Sequence, residues 1–135
     1  LGVAMGRALG RIFPKPSGDV LVPVPLHRDS RRGFNQSKAI AEGLCLEWGI
    51  PVSDCLEWTE ERIAQTARKE SERRNMPLDA MAVRRKGLAG KWAVLVDDVA
   101  TTGTTLIRAG AAVESGGGRT VCAYTWTAVP KGGKG

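Results

Sequence analysis

One stretch of fourteen residues, Ala93 to Leu106, constrains this chain more than any other: Ala-Val-Leu-Val-Asp-Asp-Val-Ala-Thr-Thr-Gly-Thr-Thr-Leu. Its first four residues have the length and β-branched content of a buried strand, and that strand is expected to stop at the adjacent carboxylates Asp97 and Asp98. Ala100, Thr101, Thr102, Gly103, Thr104 and Thr105 then make a loop of small, mostly hydroxyl side chains. Beyond it, Leu106, Gly110 and Val113 fall on one face of a helix. Backbone N–H groups at a helix start lack intrahelical partners and carry partial positive charge, so a phosphate can dock there. The threonines add donors, and Gly103 lets the backbone come close.

The acid pair argues against a bare phosphate cradle, because two carboxylates beside a phosphate repel it unless something lies between. A ribose 5-phosphate fills that gap. Its vicinal hydroxyls can donate to Asp97 and Asp98 while its phosphate rests on residues 100–105, and a divalent cation would screen the remaining charge. An acidic N-cap at an ordinary strand-to-helix turn accounts for one acid but not for the whole constellation. The Gly-x-x-x-x-Gly-Lys-Ser/Thr spacing of a Walker loop is absent. Val94 to Thr105 resembles the phosphoribosyl-diphosphate (PRPP) binding motif of type I phosphoribosyltransferases. That resemblance implies PRPP as ligand, with Mg²⁺ near Asp97 and Asp98.

At 135 residues the chain is long enough for one core and too short for two of ordinary size, so residues 1–135 are read as a single domain. No apolar run reaches the length of a membrane span and no signal peptide opens the chain, which makes a cytoplasmic soluble domain the expectation. Because the first residues already read as helix and no start methionine precedes them, an upstream region is expected. Cys45, Cys55 and Cys122 are widely spaced, form no Cys-x-x-Cys pair, and are read as small buried hydrophobes. His27 is the only histidine, which removes metal sites needing two imidazoles and most Ser-His or Cys-His nucleophile schemes. A formal charge of +6 implies affinity for anions without saying which. Aromatics are few, so no stacking platform for single strands is evident, and Trp48, Trp58, Trp92 and Trp126 are all assigned to the core.

In chain order, Leu1 to Phe13 reads as a helix with Met5, Leu9, Ile12 and Phe13 on one face, closed by Pro14 and Pro16. Asp19 to Val24 is apolar enough for the middle of a parallel sheet. The loop that follows, Leu26, His27 and Arg28 onward to Arg31, Arg32 and Gly33, places cations between a strand end and a helix start, which suits a diphosphate; a solvated basic loop is the alternative. The helix after it carries Ile40, Leu44 and Trp48 in register behind an Asn35 cap. Val-Pro-Val-Pro-Leu followed by Arg-Arg-Gly-Phe-Asn-Gln resembles the ComF family of competence-associated proteins. Members of that family commonly carry cysteine-rich zinc-binding segments ahead of this domain, and those cysteines are not among these 135 residues. Val52 to Trp58 reads as a strand, and residues 59–86 then lose periodic apolar content. The resemblance to type I phosphoribosyltransferases implies a flexible hood there, with Arg62, Arg68, Arg73 and Arg74 as candidate catalytic side chains; a surface excursion stitched by Glu/Arg pairs is the alternative. Ser115 to Gly118 is a turn, Thr120 to Thr127 a closing strand, and 131–135 a flexible tail.

Strands alternating with helical stretches predict an α/β fold, an open and mainly parallel sheet flanked by helices. The resemblance makes it type I phosphoribosyltransferase-like. Both informative loops then leave the carboxyl edge of the sheet, where such folds bind ligands. The expected function is binding of PRPP or a related ribose phosphate with Mg²⁺, with transfer to an unknown acceptor. Two alternatives stay open: a non-catalytic ribose-phosphate or nucleotide-binding module, and an accessory protein that contacts single-stranded DNA through Arg62 to Lys86. The ComF resemblance implies a link to DNA uptake. Oligomeric state is not indicated.

Overall fold

The computed structural model describes residues 1–26, 35–59, 81–84, 87–100 and 103–128. The elements are α1 (Gly2–Ile12), β1 (Val20–Pro23), α2 (Gln36–Trp48), β2 (Leu56–Trp58), β3 (Met81–Val83), β4 (Trp92–Ala100), α3 (Thr104–Ser115) and β5 (Arg119–Ala128). A parallel sheet runs in the order β1-β4-β5, with Val20 beside Ala93 and Val96 beside Tyr124. Val52 adds a single parallel bridge to Leu21 on the outer side of β1, so β1 is interior, as its unbroken apolar run requires. β2 and β3 form a separate antiparallel pair.

Alternation along β1 and β4 divides the core in two. Val20, Val22 and Leu95 pack with Ala109, Ala112 and Val113 of α3 and with Leu56 and Met81 of the small sheet. Leu21, Val94 and Val96 pack with Ile40, Ala41, Leu44 and Trp48 of α2 and with Leu9 of α1. Helices therefore cover both faces of a parallel sheet, as expected. No helix among the described residues is long and apolar enough to cross a membrane.

Five local expectations need correction. The α1 face is built on glycine: Gly2, Gly6 and Leu9 are buried, while Ile12 is 71% and Phe13 44% exposed. Val52 to Trp58 is not one strand, because Val52 bridges β1 whereas Leu56–Trp58 turns to pair with β3. β4 does not end at the acid pair; it continues to Ala100, held by β5 through Asp97 beside Thr125 and Val99 beside Thr127. Trp48 and Trp58 are buried, but Trp92, the first residue of β4, and Trp126, on the end strand β5, are 50% and 43% exposed. Of the cysteines, only Cys55 is fully buried; all three are free.

Candidate functional site

Because β1 and β4 are parallel neighbours, with Val24 N–H donating to Val96 O at 2.9 Å, the chain leaves both at one edge. A cavity of about 300 Å³ opens there, and Leu26, Ser37, Trp58, Asp97, Asp98 and Thr105 are among the residues that line it. A larger cavity of about 750 Å³, around Lys15, Asp19 and Trp92, lies at the opposite edge, away from both motifs.

Asp97 is the most enclosed acid of the site, 6% exposed. Its Oδ1 accepts from Ser37 Oγ at 3.2 Å and from Asp98 N–H at 2.8 Å, and Asp98 Oδ1 accepts from Val99 N–H at 2.8 Å. Burial pushes the Asp97 carboxyl up to about 6; the Asp98 carboxylate beside it adds to the rise, while the Asp98 N–H and the Ser37 hydroxyl oppose it.

Two helices start at this cavity and differ in what their first turns offer. In α2, Asn35 Oδ1 accepts from Ser37 N–H at 3.0 Å and Lys38 N–H at 3.3 Å, so the cap is filled from within the chain. Asn35 Nδ2 also donates to Val24 O at 3.2 Å, tying the helix start to the end of β1. In α3, the cap is Gly103 in the left-handed conformation, φ 82°, which supplies no side-chain cap. Of the two, the α3 start is the one suited to an anion from outside. Gly103→Ala is expected to cost about 1 kcal/mol of stability, because an added Cβ touches nothing within 4 Å and only the backbone is strained. Urea unfolding midpoints of the two proteins check this.

Asp97, Asp98, Thr105 and Leu26 are thus brought to one cavity; Gly103 and Thr104 begin the adjoining helix, and Ala100 ends β4. His27, Arg28, Thr101, Thr102, Arg62, Arg68, Arg73 and Arg74 lie outside the described residues, as does most of 59–86 and all of 131–135. Ser37 and Trp58 are among the lining residues that sequence reasoning did not single out for the site. Ser37 sits two places after a recognised cap, and that polar first turn was its signal. Trp58 was assigned to the core and is buried, yet its indole N–H donates to Pro25 O at 3.1 Å, at the cavity wall. Among the described residues no group of three or more metal-ligating side chains occurs. Two adjacent carboxylates nonetheless fit Mg²⁺, which takes one or two carboxylates and fills its shell with water and substrate phosphates.

The model of the phosphoribosyl transferase domain family matches residues 31–134. The chain belongs to that family. Over 106 residues this phosphoribosyl transferase domain is 33% identical to competence protein ComFC of Streptococcus pneumoniae (strain ATCC BAA-255 / R6), covering 78% of the chain and 46% of that protein. It is a ComF-like domain that spans under half the length of this relative. In fold it is similar to a structure described as the allosteric regulatory enzyme of purine biosynthesis, with a TM-score of 0.65 and 23% identity over 93% of this chain and 25% of the other. It is similar also to glutamine PRPP amidotransferase from B. subtilis, with a TM-score of 0.66 and 22% identity over 93% of this chain and 26% of the other.

Proposed function

We propose that this domain binds PRPP, or a related ribose 5-phosphate, together with Mg²⁺, and transfers the phosphoribosyl group to an acceptor. One observation carries this: an acid pair and a helix start without a side-chain cap open into the same cavity at the carboxyl edge of a parallel sheet. The two ends of a sugar phosphate match those two features, hydroxyl donors against Asp97 and Asp98 and an anion against the first turn of α3. Mg²⁺ held near Asp97 and Asp98 supplies charge neutralisation for a diphosphate leaving group. The residues of the chain bind and orient; none is required to form a covalent bond with substrate, because charge developing at C1 of the ribose can be stabilised electrostatically. The likeness to ComFC supports a role in competence.

Calorimetric titration with PRPP and Mg²⁺ tests the binding, and release of diphosphate in the presence of nucleobases and amines tests the transfer. Asp98→Asn is expected to weaken PRPP–Mg²⁺ binding at least tenfold, since it removes a charge-assisted acceptor. Saturable binding without diphosphate release would make the domain a binding module; no binding at all would overturn the proposal.

A further inference from the structure

Two walls of the cavity are joined by one hydrogen bond between residues 60 positions apart. Ser37, 4% exposed in the first turn of α2, donates from Oγ to Asp97 Oδ1. Its own position is fixed from the sheet: Asn35 caps its N–H and donates to the carbonyl of Val24 at the end of β1. The Ser37 hydroxyl is therefore held by the scaffold, and it meets the carboxyl that lines the cavity.

We infer that Ser37 is a positioning residue that holds the Asp97 carboxyl where it meets the vicinal hydroxyls of a ribose 5-phosphate, and so sets the preference of the site for ribose over deoxyribose phosphates; this rests on the function proposed above. Without Ser37, Asp97 Oδ1 keeps the Asp98 N–H as its partner but loses its tether to α2, and its side chain gains rotamer freedom. The phosphate end of the ligand is met by α3, which Ser37 does not cap. The loss therefore falls on hydroxyl recognition and spares phosphate recognition.

The test is calorimetric titration of the unmodified chain and Ser37→Ala with ribose 5-phosphate, 2-deoxyribose 5-phosphate, 3-deoxyribose 5-phosphate and inorganic phosphate, at one pH and one Mg²⁺ concentration. The unmodified chain is expected to prefer ribose 5-phosphate over at least one deoxy compound by about tenfold, the worth of one hydrogen bond to a charged group. In Ser37→Ala that preference falls close to one, with inorganic phosphate affinity unchanged. A second arm places Ser37→Ala in an Asp97→Ala background, where it should change nothing further, because the effect passes through Asp97. Preferences unchanged in Ser37→Ala, or effects that add in the double variant, overturn the inference alone. Failure of the unmodified chain to bind ribose 5-phosphate overturns this inference, and failure to bind PRPP with Mg²⁺ as well overturns the proposed function with it.

Discussion

Replacing Gly6 with alanine is expected to lower the free energy of unfolding by roughly 3 kcal/mol, the upper end of what forcing extra volume into a tight interface costs. A Cβ at Gly6 would collide with the carbonyl of Ile40 and come within 2.9 Å of Gly43 Cα. At Gly43 it would collide with Val3 O and stand 2.7 Å from Arg7 N. Each neighbour is backbone, which cannot swing aside as a side chain does, so α1 must lift from α2. The Arg7 and Arg11 pairs with Glu47, at 3.0 and 3.2 Å, do not compensate, because they are exposed and solvent screens them. Gly110 in α3 provides the contrast. An added Cβ there finds only Thr120 Oγ1 at 3.6 Å, so Gly110→Ala should stabilise by up to about 1 kcal/mol through helix propensity alone. Urea denaturation of the three proteins decides the matter; a Gly6→Ala protein as stable as the parent would refute the close-packed α1–α2 interface.

Asp97→Asn is expected to stabilise the ligand-free protein at neutral pH by roughly 2 kcal/mol and to do nothing at pH 4. The sign follows from burial. The Asp97 carboxyl ionises near pH 6 in the folded chain against 3.8 as the ordinary value, so the folded state favours its protonated form. Its contribution is fully present below about pH 4 and is lost as pH rises through about 6. Above that, the folded protein holds a carboxylate in a poorly solvated place, beside a second carboxylate. Asparagine carries no charge at any pH and still accepts from Ser37. Urea unfolding of both proteins at pH 4, 6 and 7.5 measures the difference, and a difference independent of pH would show that Asp97 is solvated in the folded chain. An acid kept at this cost in stability is consistent with a ligand-binding role, where cations and hydroxyl donors would repay it.

What could be read from the sequence was what depends on neighbours within a few residues. The buried β1 run, the Asn35 cap and the strand–acid–glycine–helix order around Asp97 are local, and periodicity with capping chemistry reports them directly. The length of β4 was not legible, because Asp97, Asp98 and Val99 have no strand pattern of their own and are held extended by the register of β5. Nor was the face of α1. Hydrophobic spacing favoured Ile12 and Phe13, whereas the burial is set by how closely two backbones can approach at Gly6 and Gly43. Trp126 and Trp92 misled because exposure depends on place in the sheet: Trp126 lies on β5, the last strand, with nothing beyond it to be buried against, and Trp92 is the first residue of the central strand β4, at the sheet's end.

The sequence by itself determined that this chain is a parallel α/β domain with an acid pair ahead of a glycine-bearing helix start, since strand content, polar constellation and helix period are written in consecutive residues. Only the tertiary structure decided that Asp97 would be buried against Ser37, that Trp58 would wall the same cavity, and that the starts of α2 and α3 would open into it together. Those facts join residues tens of positions apart. They come into being only when β1 and β4 lie side by side and bring the ends of their loops to one edge.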